Sequence, residues 1–325
     1  MTHTRNRAGN RSKNEVKDQA GNRAGTARRT VRTGRRALRR EAPTTVALLT
    51  AAADFDAMRG YRSFRFHDHT DYLRRMEGLL RSLTSRGIHV RVGVFDPGEY
   101  AQYCVDTGGD ADTSRARARY AADVTASGPT VPYTGQALEH LVTQLEYETT
   151  RQATWELAGD ILARAGDCAC CGDDLARTSF DRASQALTRL LDAAGPGTHH
   201  VVCSVPTEDT TLLAAMHARC DEHGMVHLAE AEALVCCTVL AAGLATDSPG
   251  GLVVRSTAPS SGRGGPGAGP PDEVRGWTLR DGWLSPLSEA EVFNAYCTDA
   301  ETGEPVPPEP GVVHRPGFPL PPPED

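Results

Sequence analysis

Alternating and helically spaced apolar residues divide the first part of the chain into predicted strands and helices. Thr45–Thr50 is a short apolar run typical of a buried strand. From Tyr72 to Leu83 apolar side chains recur at helical spacing with charged residues opposite them, which predicts an amphipathic helix. Ile88–Phe95 then alternates apolar and polar positions, as a strand does. A strand, a crossover helix and a second strand predict a βαβ unit with parallel strands.

The middle of the chain is predicted to be helical and the last third to be mostly β. Apolar spacing predicts helices at about 97–106, 114–126 and 136–165, and another from Ser179. Strands are predicted at 199–206, 210–218, 251–257 and 274–280, with a buried helix at Leu228–Leu244. The predicted fold class is therefore α/β (or α+β): a mixed sheet with an N-terminal parallel βαβ unit, a helical insert and a later antiparallel part.

Charge separates the first 43 residues from the rest. Residues 1–42 contain thirteen Arg or Lys and three acidic residues, while the whole chain has a net charge of −7. The segment is therefore about +10 and the remainder about −17. Because residues 1–43 have little apolar surface to bury, they are predicted to be a disordered basic arm, and a nucleic acid is a partner that such an arm attracts. No aromatic residues lie between the arginines, so stacking on bases is not supported.

Prolines separate the last residues in the same way. They predict an extended, disordered tail over residues 304–325, which leaves residues 44–303 as a single α/β domain. No apolar run approaches the ~20 residues that a membrane span needs, so no membrane partner is predicted. Nine cysteines without a secretory signal favour reduced thiols and a cytoplasmic location.

The stretch from Gly166 to Asp174 is the strongest candidate for a chemical site. Cys168 and Cys171 have the spacing of a zinc knuckle, in which a following glycine lets backbone N–H groups approach the thiolates. A structural zinc site needs two further ligands, and Cys220 with His223 is the best pair. Substitutes for that pair are Cys203, His199 and His200. Two alternatives stay open: a redox-active thiol pair, or cysteines that fill small buried positions in a turn between helices.

A polar and aromatic stripe on the long predicted helix is a second candidate. Glu148, Arg151 and Trp155 fall on one narrow arc of that helix. Next to a cleft they would bind a polar ligand, with the indole as a platform; otherwise they form an ion pair that covers a half-buried tryptophan. Asp96 follows a predicted parallel strand, where α/β enzymes place functional residues, and it also fits the N-cap of the next helix.

Four segments of the chain resemble a family of uncharacterised actinobacterial proteins. They are Thr44–Thr50, Cys168–Asp174, Leu191–Gly197 and Ala295–Ala300. The resemblance covers roughly residues 44–313 and leaves the basic arm outside. It implies no activity, because none is established for that family.

These features favour a non-catalytic cytoplasmic protein that binds an unknown protein or small-molecule partner, with zinc as the candidate cofactor. The alternative is an enzyme that acts on a small polar or phosphorylated substrate in a cleft near Asp96, Glu148 and Arg151. A third hypothesis makes the basic arm a tether to nucleic acid. The sequence leaves open whether the protein is an enzyme.

Overall fold

The computed structural model describes residues 44–259, 271–299 and 302–322, so the predicted basic arm lies outside the described residues. The chain divides into two compact units between Thr149 and Thr150, where the sequence predicted one domain. Each unit has its own hydrophobic core. The boundary has no Pro- or Gly-rich linker because it falls inside a continuous helix, Leu138–Arg164. Composition alone therefore gives no sign of it.

Unit 1 has a three-stranded sheet with helices between its strands. Its elements are β1 (Thr44–Leu48), α1 (Ala52–Met58), α2 (His69–Ser85), β2 (Val90–Val94), α3 (Pro97–Thr107), α4 (Ser114–Ser127), β3 (Val131–Tyr133) and the start of α5 (Leu138–Arg164). β1 and β2 pair in parallel, with Thr44 opposite Val90, and β3 is antiparallel to β2. The parallel βαβ unit predicted from the sequence is confirmed.

Aromatic rings fill the space between the strands and helices of unit 1. The apolar stripe of α2 buries Tyr72 and Leu80, as its helical spacing predicts. The hydroxyl oxygen of Tyr72 accepts a hydrogen bond from the backbone N–H of Leu49 at 3.1 Å, which fastens α2 to the end of β1. Phe66 meets the Tyr72 ring edge-on at 5.1 Å between centroids.

Unit 2 has a larger sheet covered by two packed helices. Its elements after α5 are α6 (Leu175–Ala194), β4 (Gly197–Pro206), β5 (Thr211–Cys220), β6 (Val226–Leu228), α7 (Glu230–Ala245), β7 (Gly251–Thr257), β8 (Asp272–Arg280), β9 (Trp283–Pro286), α8 (Glu289–Tyr296) and β10 (Val312–His314). The strand order is β10-β8-β7-β4-β5-β6, and β9 also pairs with β8. Every pair is antiparallel except β10 with β8. The predicted fold class, α/β with a later antiparallel part, is confirmed.

The apolar helix α7 explains where the core of unit 2 lies. It is buried continuously from Val235 to Gly243, because it packs against α6 on one side and against β4 and β5 on another. On β4, side chains alternate between this core and the opposite face, so Val201, Cys203 and Val205 are buried while their neighbours are not. In the part of the chain that the structure describes, no helix is long and apolar enough to cross a membrane.

The segment predicted as a disordered tail packs onto this sheet. Trp277 and Trp283 donate their indole N–H groups to the backbone oxygens of Phe318 and Leu320, at 2.9 and 2.8 Å. The side chain of Leu320 is only 6% exposed. The many prolines here lack N–H donors, but the segment is held through its carbonyl oxygens and the apolar side chains between the prolines. The proline content alone therefore did not predict the structure.

Candidate metal centre

A tight hairpin between α5 and α6 holds the three clustered cysteines. Asp167 and Asp174 form an antiparallel bridge at its base. Inside it, the N–H of Cys168 donates to the oxygen of Asp173 at 2.7 Å, and the N–H of Gly172 donates back to the oxygen of Cys168 at 2.8 Å. Gly172 has a φ of 77°, a left-handed conformation that glycine adopts without a Cβ clash. The turn is thus defined by its own backbone hydrogen bonds.

The neighbouring helix anchors the hairpin at its far end. The carboxylate of Asp174 accepts a hydrogen bond from the N–H of Arg177 at 3.2 Å and so caps α6. Leu175 donates its N–H to the oxygen of Gly166 at 3.0 Å, which closes the loop against the end of α5. The cysteines therefore lie on a short segment held at both ends.

This hairpin brings the sulfur atoms of Cys168, Cys170 and Cys171 together. All three lie within 4.8 Å of one another, and those of Cys168 and Cys170 are 2.9 Å apart. Cys170 and Cys171 are exposed and Cys168 is partly exposed. Among the described residues, this is the one group of three or more His, Cys, Asp or Glu side chains whose ligand atoms come so close. The cluster could hold a metal ion.

Hydrogen bonds within the hairpin give its thiols different acidities. The pKa of Cys168 is lowered to about 7 by hydrogen bonds to its sulfur. The largest contribution comes from the Cys170 side chain, and the next from the backbone N–H groups of Cys170 and Cys171. At Cys171 the N–H of Asp173 favours the thiolate, but the pKa still rises to about 11, because the Cys168 sulfur and the Asp173 carboxylate disfavour a second negative charge nearby. Near neutral pH, Cys168 is therefore about half ionised while Cys171 keeps its proton.

Three thiolates supply three of the four positions of a tetrahedral zinc ion. The C-x-x-C spacing predicts Cys168 and Cys171 as ligands and leaves out Cys170. Neighbouring side chains point to opposite sides of an extended strand, so Cys170 and Cys171 would diverge there. The tight turn before Gly172 removes that restriction. Three cysteines within four residues, followed by glycine, were the signal that could have identified the third thiol.

The two partners predicted from the sequence lie at the end of β5. Cys220, 6% exposed, lines a cavity of about 250 Å³ together with Leu191 and Asp192, and burial raises the pKa of its thiol. His223 is exposed in the following turn, where its N–H donates to the Asp221 carboxylate at 2.9 Å. Neither residue belongs to the group of three close sulfur atoms. The four-ligand set with Cys220 and His223 stays a prediction.

The predicted ligand-binding residues are divided between the two units. Asp96 lies in unit 1, where its carboxylate accepts an N–H from the first turn of α3 at 2.8 Å, which confirms its role as a helix cap. Glu148 belongs to unit 1 and Arg151 to unit 2. The Arg151 guanidinium donates to the oxygen of Ala231 at 3.3 Å, and Trp155 is 38% exposed. A ligand-binding role for these four predicted residues stays a prediction.

Comparison with known proteins gives a match to the first unit alone. Residues 33–136 match a family described as a domain of unknown function (DUF8829). No curated protein and no solved structure matches the chain. The match agrees with the expected resemblance to an uncharacterised family over residues 44–136, but it begins at residue 33, inside the arm that the expected resemblance left outside. The actinobacterial source stays a prediction. The cysteine hairpin follows the matched range, so the match carries no information on its chemistry.

Proposed function

We propose that the protein binds a metal ion, zinc in the first instance, through the thiolates of Cys168, Cys170 and Cys171. The observation that carries this proposal is the approach of the three sulfur atoms to within 4.8 Å on one short hairpin. Thiolates favour zinc and softer ions over magnesium or calcium, which take oxygen ligands. The flanking carboxylates add negative charge that favours a cation: Asp167, Asp173 and Asp174.

The hairpin's exposure supports a role in binding a partner. Three protein sulfurs leave one tetrahedral position, which a water molecule, a small-molecule ligand or a donor side chain of a partner protein fills. Cys170 and Cys171 are exposed, so a partner can reach the ion from outside. All nine cysteines are free, which suits the reducing cytoplasm that we propose as the location. The protein is then a non-catalytic partner- or ligand-binding protein with a zinc knuckle.

Metal titration of the full-length chain tests this proposal. The reduced, metal-free protein is titrated with zinc and, separately, with cobalt(II), whose thiolate complexes absorb in the near ultraviolet. We expect one ion per chain. Cys168→Ser, Cys170→Ser and Cys171→Ser should each weaken binding by at least ~10-fold, because each removes one ligand.

Cys220→Ala is the matched comparison for these variants. If the three hairpin thiols are the protein's ligands, the Cys220→Ala variant binds zinc as the unchanged protein does. Loss of binding in that variant would instead support the predicted set with Cys220 and His223. Binding that survives serine at all three hairpin positions would refute the proposal.

A further inference from the structure

We infer that the same hairpin exchanges its thiols with low-molecular-weight disulfides, and that it closes an internal disulfide between Cys168 and Cys170. Their sulfur atoms are 2.9 Å apart, and a disulfide bond is about 2.05 Å long, so the two atoms need to move by less than ~1 Å to bond. All three sulfur atoms of the cluster lie within 4.8 Å of one another. The 2.9 Å separation makes Cys168 and Cys170 the pair that we assign to the disulfide.

Exposure decides which thiol meets the external disulfide. Cys170 and Cys171 are both exposed, and of these two we assign the entry to Cys170, whose sulfur lies 2.9 Å from that of the partly covered Cys168. The remaining six cysteines outside the hairpin are buried, so an external disulfide cannot approach them in the folded protein: Cys104, Cys203, Cys220, Cys236, Cys237 and Cys297. Cys170 is therefore the point of entry and Cys168 the resolving thiol.

The exchange proceeds in two balanced steps. The thiolate of Cys170 attacks one sulfur of the external disulfide, whose S–S bond breaks and releases one small thiolate. The thiolate of Cys168 then attacks the Cys170 sulfur of the mixed disulfide and releases the second. The two protein thiols lose two electrons and two protons, and the small disulfide takes them up as two thiols.

Oxidation has a consequence for metal binding, and this part of the inference rests on the proposed function. A disulfide between Cys168 and Cys170 removes two of the three sulfur ligands and leaves Cys171 alone. Zinc must then leave the hairpin. The hairpin would hold its ion when reduced and release it when oxidised.

Treatment of the reduced, metal-free full-length protein with glutathione disulfide tests the exchange, with mass spectrometry of native-state digests as the readout. The unchanged protein should lose two hydrogens in the hairpin peptide and keep no adduct. Cys168→Ser should trap one glutathione on Cys170. Cys104→Ala, which removes a buried cysteine of unit 1 outside the hairpin, is the control and should close the disulfide as the unchanged protein does.

Specific outcomes overturn the inference. They are an untouched Cys170 in the Cys168→Ser variant, a lasting adduct on the unchanged protein, or a hairpin disulfide that forms equally fast in Cys170→Ser. Zinc-loaded protein supplies the second measurement, in which one ion is released for each disulfide formed. If the disulfide forms but the protein binds no zinc, the proposed function fails and the exchange stands. If zinc binds but no disulfide forms, the exchange fails and the proposed function stands.

Discussion

Unit 2 contains two groups of neighbouring cysteines in opposite surroundings. In the hairpin, backbone N–H groups and other thiols surround the sulfur of Cys168 and lower its pKa to about 7. In the core, Cys203 on β4 and Cys236 on α7 are both 0% exposed. The pKa of Cys203 lies well above its usual value, mainly because of its hydrogen bond to Cys236 and also because of burial. Proximity of thiols is therefore not enough to make a site, because N–H donors and access to solvent decide whether a thiolate forms.

Alkylation rates should show the largest difference between the two groups. Burial raises the pKa of Cys237, beside Cys236 on α7, to about 12, against about 7 for Cys168. The thiolate is the reactive form, but its nucleophilicity falls with its pKa, so at pH 7 we expect Cys168 to react at least about 10²-fold faster with iodoacetamide. The measurement is a labelling time course on the metal-free native protein, read by peptide mass spectrometry. Equal rates before unfolding would contradict the comparison.

Substitution by serine should destabilise the protein more at a core cysteine than at a hairpin cysteine. Cys236→Ser places a hydroxyl in an apolar core and should lower the free energy of unfolding by about 1–3 kcal/mol. Cys170→Ser changes an exposed side chain and should alter it by less than about 0.5 kcal/mol. Urea unfolding of both metal-free variants measures the difference. The core role assigned to Cys236 would be wrong if the two variants lost stability equally.

The pH dependence of zinc affinity should give the smallest effect. The pKa of Cys171 is about 11, so at neutral pH zinc must displace its proton. Because binding releases protons, affinity rises with pH, and we expect at least about a tenfold gain between pH 7 and pH 8. Below pH 7, Cys168 becomes protonated as well and the dependence steepens. Competition with a chelator measures the affinity, and a value independent of pH would exclude the thiols as ligands.

Elements with a clear apolar period could be predicted from the sequence, and very short ones could not. The helix predicted at 136–165 is α5, Leu138–Arg164, and the predicted cap at Asp96 is confirmed. The apolar pattern does not predict α1 or the three-residue strand β3. Both are too short for an apolar period of 3.6 or 2 residues to repeat, so no pattern distinguishes them from a loop.

The same limit applies to the candidate site. The position of the hairpin could be predicted, because three cysteines and a glycine follow one another there. Which thiols come together in the hairpin could not be predicted, since sequence spacing does not give a distance in space, and the set with Cys220 and His223 stays a prediction. The structure instead adds Cys170, whose side chain comes into the cluster through the fold of the turn.

The indole contacts of unit 2 impose an order on its folding. The backbone oxygens that accept these hydrogen bonds belong to Phe318 and Leu320. They lie 41 residues after Trp277 and 37 residues after Trp283. During synthesis, domains fold as units with the N-terminal one first, so unit 1 can form while unit 2 still awaits these partners. Until β10 leaves the ribosome, the outer edge of β8 at Asp272–Val274 lacks its neighbour. An unpaired strand edge recruits other chains, so arrest of translation before Val312 would produce an aggregating intermediate.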